Sequence, residues 1–173
     1  MRLAVGALAI ALLVSTAAQA QTSSERPARP AVTPSTSFTI GGAVEHPRAL
    51  ALADLQKAPA TTQSVFYVTG RGQVTGRFTG VLLWTLLSEA GVKPASDAKN
   101  AVLRRSILVT ATDGYAVTLS IGELDPSYGS AQALIAYAQD DKPLGDSGFA
   151  RLIMPQDKDG GRNVMRIATI EVR

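Results

Sequence analysis

One stretch of the chain constrains the fold most, because it predicts consecutive elements of structure. Residues 66–91 read FYVTGRGQVTGRFTGVLLWTLLSEAG. The β-branched and aromatic residues at its start predict a strand over residues 63–69. Four glycines and two arginines follow, and they predict a basic loop from Gly70 to Gly80. A loop of this composition presents backbone N–H groups and positive charge to an anion.

The end of the same stretch predicts a helix from Gly80 to Ala90. Thr79 is a suitable N-cap, and Gly91 suits the left-handed conformation that often ends a helix. One face of this helix carries only apolar side chains at the i, i+3, i+4 and i+7 positions, namely Leu83, Leu86, Leu87 and Ala90. We therefore expect that face to pack in the core.

The first twenty residues have the pattern of a secretory signal peptide. Arg2 precedes an apolar core, and residues 18–20 (AQA) resemble a cleavage site. That core is too short to cross a bilayer, and no later segment reaches the roughly 18 apolar residues that a span needs. We expect cleavage after Ala20 and a periplasmic protein without a membrane span.

The remaining chain divides into a linker and one domain. Residues 21–37 (QTSSERPARPAVTPSTS) are rich in Pro, Ser and Thr, which predicts a disordered linker. Residues 38–173 have the size of a single domain. The formal net charge of +3, which falls by one when Arg2 is removed, is too small to predict a nucleic-acid partner. With no cysteine, the chain has no disulfide, no thiol nucleophile and no thiolate metal ligand.

Short apolar segments separated by turns predict a mainly β, α+β fold with a few short helices. Asp113-Gly114 is a strong signal for a hairpin turn. Gly41 and Gly42 fall inside the first predicted strand and indicate a bulge or a close approach of two backbones. The predicted strands cover residues 38–44, 63–69, 105–112, 115–120, 131–139, 149–154 and 164–172.

Four segments of the domain match one known family in their order and spacing. They are residues 40–55 (IGGAVEHP, then L-x-L-x-x-L), 78–87 (FTGVLLWTLL), 111–115 (ATDGY) and 151–162 (RLIMP with a later Lys and Arg). Together they resemble the molybdopterin-dependent oxidoreductase domain of the sulfite oxidase superfamily. The resemblance covers nearly all of residues 38–173, and it implies that superfamily's fold, its redox chemistry and a molybdopterin cofactor.

The residue that binds the metal in that family is missing here. In the family, a cysteine thiolate binds molybdenum at the end of the strand before the helix. The corresponding position is Val68, with Tyr67 and Thr69 beside it, and none of these side chains can supply a thiolate. The resemblance therefore implies a metal position that has become apolar.

The candidate site combines this position with the basic residues of two segments. Its predicted ligand-binding residues are Tyr67, Val68, Thr69, Arg71, Arg77, Arg151, Lys158 and Arg162. Arginine offers paired donors to a phosphate or another oxyanion, and the resemblance implies that the C-terminal segment lies near the pterin and oxyanion pocket. We expect both segments to converge on one cleft. Solvent-exposed arginines, or ion pairs with Asp157 and Asp159, are the alternatives.

These observations predict a binding module for an anionic small molecule or for a redox protein of the cell envelope. One alternative is an active molybdopterin-dependent oxidoreductase with a non-cysteine ligand set, and another is a structural domain tethered by the linker. No cofactor is predicted, although molybdopterin remains possible. His46 is the only histidine, so the sequence predicts neither a histidine metal cluster nor a Ser-His-Asp triad.

Overall fold

The computed structural model describes residues 35–173, which form the mainly β fold with short helices that the sequence predicted. The predicted signal peptide, and the predicted linker up to Pro34, lie outside the described residues. In chain order the strands and helices are β1 (Ser37–Gly42), β2 (Arg48–Ala51), α1 (Leu52–Lys57), β3 (Thr61–Thr69), β4 (Gly72–Leu82), α2 (Leu83–Ala90), β5 (Ser106–Ala111), β6 (Ala116–Ser120), α3 (Ile121–Leu124), β7 (Leu134–Gln139), β8 (Lys142–Pro143), β9 (Arg151–Ile153) and β10 (Ile167–Val172).

The first sheet has the strand order β2-β1-β10-β5-β6, in which β1 and β10 are parallel and the other neighbours are antiparallel. The predicted hairpin at Asp113-Gly114 joins β5 to β6. The predicted close approach occurs at Gly42, where φ is +81° and an added Cβ would lie 2.1 Å from the carbonyl oxygen of Val172. Only glycine fits at this position.

The second sheet has the antiparallel order β3-β4-β7-β8, and β9 also pairs with β7. The prediction of a loop from Gly70 to Gly80 is wrong, because β4 begins at Gly72 and leaves only a tight turn after β3. Gly80 reflects close packing between strands, because an added Cβ would lie 2.2 Å from the carbonyl oxygen of Ile135 in β7.

The predicted helix starts later than expected. It runs from Leu83 to Ala90, and Thr79 lies in β4, where its hydroxyl contacts that of Thr62 at 2.9 Å instead of capping the helix. The predicted end is correct, since Gly91 adopts a left-handed conformation with φ of +70°. The predicted buried face is also confirmed: Leu83, Leu86, Leu87 and Ala90 are all buried.

The buried side chains form a large cluster and a small one. The large cluster includes residues of the first sheet and of α2. The small cluster lies next to the candidate site and consists of Val65, Tyr67, Phe78, Leu134, Ala136 and Ile153. Between residues 35 and 173, no helix has the length and hydropathy needed to cross a bilayer.

Candidate anion-binding site

The turn between β3 and β4 fixes one wall of the site. The hydroxyl of Thr69 accepts a hydrogen bond from the backbone N–H of Arg71 at 3.1 Å and donates one to the carbonyl oxygen of Gly72 at 2.9 Å. These bonds close the turn at Gly70 and Arg71, and Gly72 provides the positive φ of +117° that follows it. The exposed Arg71 therefore lies at the tip of the β3–β4 hairpin.

The C-terminal segment of residues 156–165 forms the opposite wall. The backbone N–H of Val68 donates to the carbonyl oxygen of Lys158 at 2.9 Å, which attaches this segment to β3. Gly160 then packs on the ring of Tyr67, where an added Cβ would lie 2.8 Å from ring atom Cδ2. A larger residue at position 160 would push the segment away from the hairpin.

A cleft of about 540 Å³ lies between these two walls. Two arginines, three side-chain amides and two hydroxyl groups line it, and none of the described residues that line it is acidic. The lining residues are Tyr67, Thr69, Gly70, Arg71, Gly72, Gln73, Val74, Gln139, Arg151, Gly160, Asn163 and Met165. The cleft is therefore positively charged and rich in hydrogen-bond donors.

Arg151 is the most unusual residue of the cleft, because it is a buried charge without a carboxylate. Only 7% of it is exposed. Its Nη2 donates to the hydroxyl of Tyr67 at 3.0 Å, and its guanidinium carbon lies 5.4 Å from the centroid of the Phe78 ring. Among the described residues, Arg151 has no ion-pair partner and its Nε has no hydrogen-bond acceptor. No negatively charged group among the described residues therefore balances its charge.

Asn163 provides a second unpaired donor beside the same cleft, and it was not among the residues predicted from the sequence. It is 8% exposed, and its Oδ1 accepts a hydrogen bond from the backbone N–H of Met154 at 2.7 Å. Its Nδ2 is buried without a partner among the described residues. Buried polar groups are almost always hydrogen-bonded, so each of these two nitrogens requires an acceptor that the described residues do not supply. The only signal in the sequence was the position of Asn163 next to Arg162.

Four of the eight ligand-binding residues predicted from the sequence line the cleft, and the other four do not. Tyr67, Thr69, Arg71 and Arg151 line the cleft. Val68 does not, because successive side chains of a strand point to opposite faces, and its side chain is 42% exposed. The position that the resemblance equates with the family's cysteine is therefore not part of the cleft wall.

Arg77 also lies on the face of the hairpin opposite to Tyr67. Its position in β4 is directly across from Ser64, an exposed residue on the Val68 side of β3. Its guanidinium forms an ion pair with Asp141, and its backbone N–H donates to Oδ1 of Asp140 at 2.9 Å. Arg77 is therefore paired and remote from the cleft.

Lys158 and Arg162 line a neighbouring depression of about 510 Å³. Arg162 donates two hydrogen bonds to Asp157, from Nε at 2.8 Å and from Nη2 at 2.6 Å, and its Nη1 contacts Glu123 at 3.3 Å. Hydrogen bonding to Asp157 raises the pKa of Arg162 above its ordinary value. Arg162 therefore forms the ion pair with Asp157 that the sequence offered as an alternative to ligand binding. The side chain of Arg71, in contrast, has no acidic partner among the described residues.

Molybdopterin fits this cleft only in part. Arg71, Arg151 and Asn163 suit a phosphate or another oxyanion, because all three can donate hydrogen bonds. The metal has no matching protein ligand: the sequence contains no cysteine, and within residues 35–173 no group of three His, Asp or Glu side chains is arranged to hold a metal ion. The residues present do not provide the thiolate site for molybdenum.

Comparison with known proteins identifies the fold. The sequence profile of a family described as "Oxidoreductase molybdopterin binding domain" matches residues 27–173. The structure is similar to that of the sulfane dehydrogenase SoxCD from Paracoccus pantotrophus, with a TM-score of 0.65 and 20% sequence identity. The match covers 79% of this chain and 37% of that one, so this chain spans little more than a third of its length. No curated protein matches the sequence. The predicted relation to the sulfite oxidase superfamily is confirmed.

Proposed function

Because the chain belongs to the oxidoreductase molybdopterin-binding domain family, we propose that it is a binding domain with the family's fold but without its thiolate ligand, and that the cleft at Arg151 is its ligand site. Its ligand is a small molecule with an oxyanion group, such as a phosphate, sulfate or sulfite. A fold does not carry a function when the residue that does the chemistry is absent. Binding, rather than metal-dependent catalysis, is what the remaining side chains are suited to do.

The observation that carries this proposal is the uncompensated charge of Arg151. Burying an ion costs several kcal/mol unless a counter-ion and hydrogen bonds offset the lost hydration. Tyr67 and the Phe78 ring offset part of this cost, but neither is negatively charged. An oxyanion in the cleft supplies the missing charge. Asn163 and the exposed Arg71 give it further donors.

Thermal unfolding in the presence of different anions tests the proposal. A ligand that binds only the folded state raises the melting temperature. Phosphate, sulfate or sulfite should therefore raise it more than chloride does at equal ionic strength. The rise should shrink in Arg71→Ala and persist in Arg77→Ala, the matched control on the opposite face. If no oxyanion raises the melting temperature above the chloride value, the proposal is wrong.

The second candidate is an enzyme that retains molybdopterin through a different ligand set. Family membership and the size of the cleft favour it. Elemental analysis of protein purified from a host that makes the cofactor separates the two candidates. We expect little or no molybdenum, and a content near one atom per chain would favour the enzyme. A purely structural domain differs from both, since it predicts neither metal nor an anion effect.

The leader suggests where this binding takes place. Residues 1–20 have the pattern of a signal peptide, so we propose that the domain acts in the periplasm, where its ligand or a redox protein of the envelope would meet it. N-terminal sequencing of the protein from its host should begin at Gln21. A sequence that still begins near Arg2 would contradict this location.

A further inference from the structure

The edge of the second sheet at β3 is unusually open to pairing with another chain. β3 has nine residues, no charged side chain and no proline, and its register with β4 continues without a bulge. Natural proteins usually protect an edge strand by shortening it, by adding charges or proline, or by covering it. The other edge strands, β2, β6, β8 and β9, have four, five, two and three residues.

The free backbone groups of this edge can be identified. In an antiparallel pair, alternate residues direct their N–H and C=O groups away from the neighbouring strand. Val68 belongs to the set directed away from β4, because its N–H donates to the carbonyl oxygen of Lys158. Thr62, Ser64 and Phe66 have the same orientation. No backbone partner is found for them within residues 35–173, and Phe66 is 51% exposed.

We infer that this edge pairs with the same edge of a second copy of the chain, antiparallel about a two-fold axis at Ser64. The end of β3 is already occupied by Lys158, so the free groups run from Thr62 to Phe66 and have Ser64 at their centre. Ser64 then faces Ser64 of the partner subunit, and Thr62 faces Phe66 of the partner subunit. Each of the three opposed pairs exchanges two N–H···O bonds.

A second copy suits this edge better than an unrelated partner. The strand carries no charge, so two copies meet without like charges in opposition. A two-fold contact also uses both exposed edges at once, which leaves no long open edge for further growth. Tyr67, which lines the cleft, points to the other face of the strand from Phe66. Pairing therefore leaves the cleft open, and this inference does not depend on the proposed ligand.

Cysteine cross-linking tests the inference directly, because the chain has no cysteine of its own. Opposed residues in a hydrogen-bonded antiparallel pair lie about 5.5 Å apart between Cα atoms, within the range of a disulfide. Ser64→Cys should form a cross-linked dimer under mild oxidation at dilute concentration. Thr75→Cys is the matched control. It is also exposed, but it lies one strand further from the axis and opposite Phe66. The two copies of residue 75 would be three strand spacings apart across the sheet and four residues apart along it, or roughly 20 Å in all.

Sedimentation equilibrium gives an independent measurement on the protein as purified from its host. The mass should be twice that of one chain, and Ser64→Lys should shift it toward a single chain, because two lysines then face each other across the axis. Thr75→Lys should leave the dimer intact. Three results would overturn the inference: a single-chain mass for the unchanged protein, a dimer that survives Ser64→Lys, or equal cross-linking of the two cysteine variants.

Discussion

Four arginines of similar appearance in the sequence have four different surroundings in the structure. Arg151 is buried without a carboxylate partner among residues 35–173, and Arg71 is exposed at the tip of a hairpin. Arg77 pairs with a residue 64 positions away along the chain, and Arg162 pairs with Asp157 nearby. Sequence alone predicted the Asp157 alternative, because the acidic residue is close in the chain. The partner of Arg77 could not be predicted, since it depends on how β4 and β7 align.

The surroundings of Arg162 predict a structural role. Arg162→Ala should lower the free energy of unfolding by about 1 kcal/mol, because it removes two charge-assisted hydrogen bonds from partly exposed groups. Its effect on anion binding should be negligible. Urea unfolding followed by the fluorescence of Trp84, the only tryptophan, measures the change. Arg173→Ala is the control, since its pair with Glu171 is exposed and should contribute almost nothing.

The pH dependence of this contribution has a definite sign. Because the pKa of Arg162 is higher in the folded state, its stabilisation is fully present below the ordinary arginine pKa and is lost only at more alkaline pH. The arginine itself should therefore cause no change in stability between pH 6 and pH 9, a range far below that pKa. A loss of the Arg162→Ala effect within that range would contradict the account.

The positions of the helices and strands were predicted better by the spacing of apolar residues than by the positions of glycines. The face of α2 and the strand β3 follow directly from apolar spacing and β-branched residues. The glycines between Gly70 and Gly80 predicted a loop because glycine is common in turns. In the structure most of them lie in β4, where Gly80 allows β7 to approach. A glycine that permits close packing and one that permits a turn look identical in the sequence.

This interpretation predicts different outcomes for two strand glycines. Gly80→Ala should destabilise the fold by about 3 kcal/mol or more, because the new methyl group meets the backbone of Ile135 and cannot be accommodated by a rotamer change. Gly41→Ala should change stability by less than about 1 kcal/mol, since nothing lies within 4 Å of its added Cβ. If urea unfolding shows that both variants lose the same free energy of unfolding, β4 and β7 are packed less tightly than described.

For the whole molecule, the sequence predicted the family more readily than the site. The four matching segments specify a fold, and that fold brings the β3–β4 turn next to residues 156–165. The missing thiolate could also be read from composition, because the chain has no cysteine. The hydrogen-bond donors of the cleft could not be predicted from the sequence. Arg151 and Asn163 matter because each is buried with one side-chain nitrogen that has no acceptor among the described residues, and burial depends on the complete three-dimensional arrangement.

Calorimetric titration of Arg151→Met tests the central claim most directly. The unchanged protein should bind phosphate, sulfate or sulfite at one site, and the variant should bind none of them measurably. The free energy of unfolding without ligand should stay the same or rise, because an apolar side chain of similar length replaces an uncompensated buried charge. Arg77→Met, on the opposite face, should bind like the unchanged protein. Oxyanion binding by Arg151→Met that equals that of the unchanged protein would contradict the account.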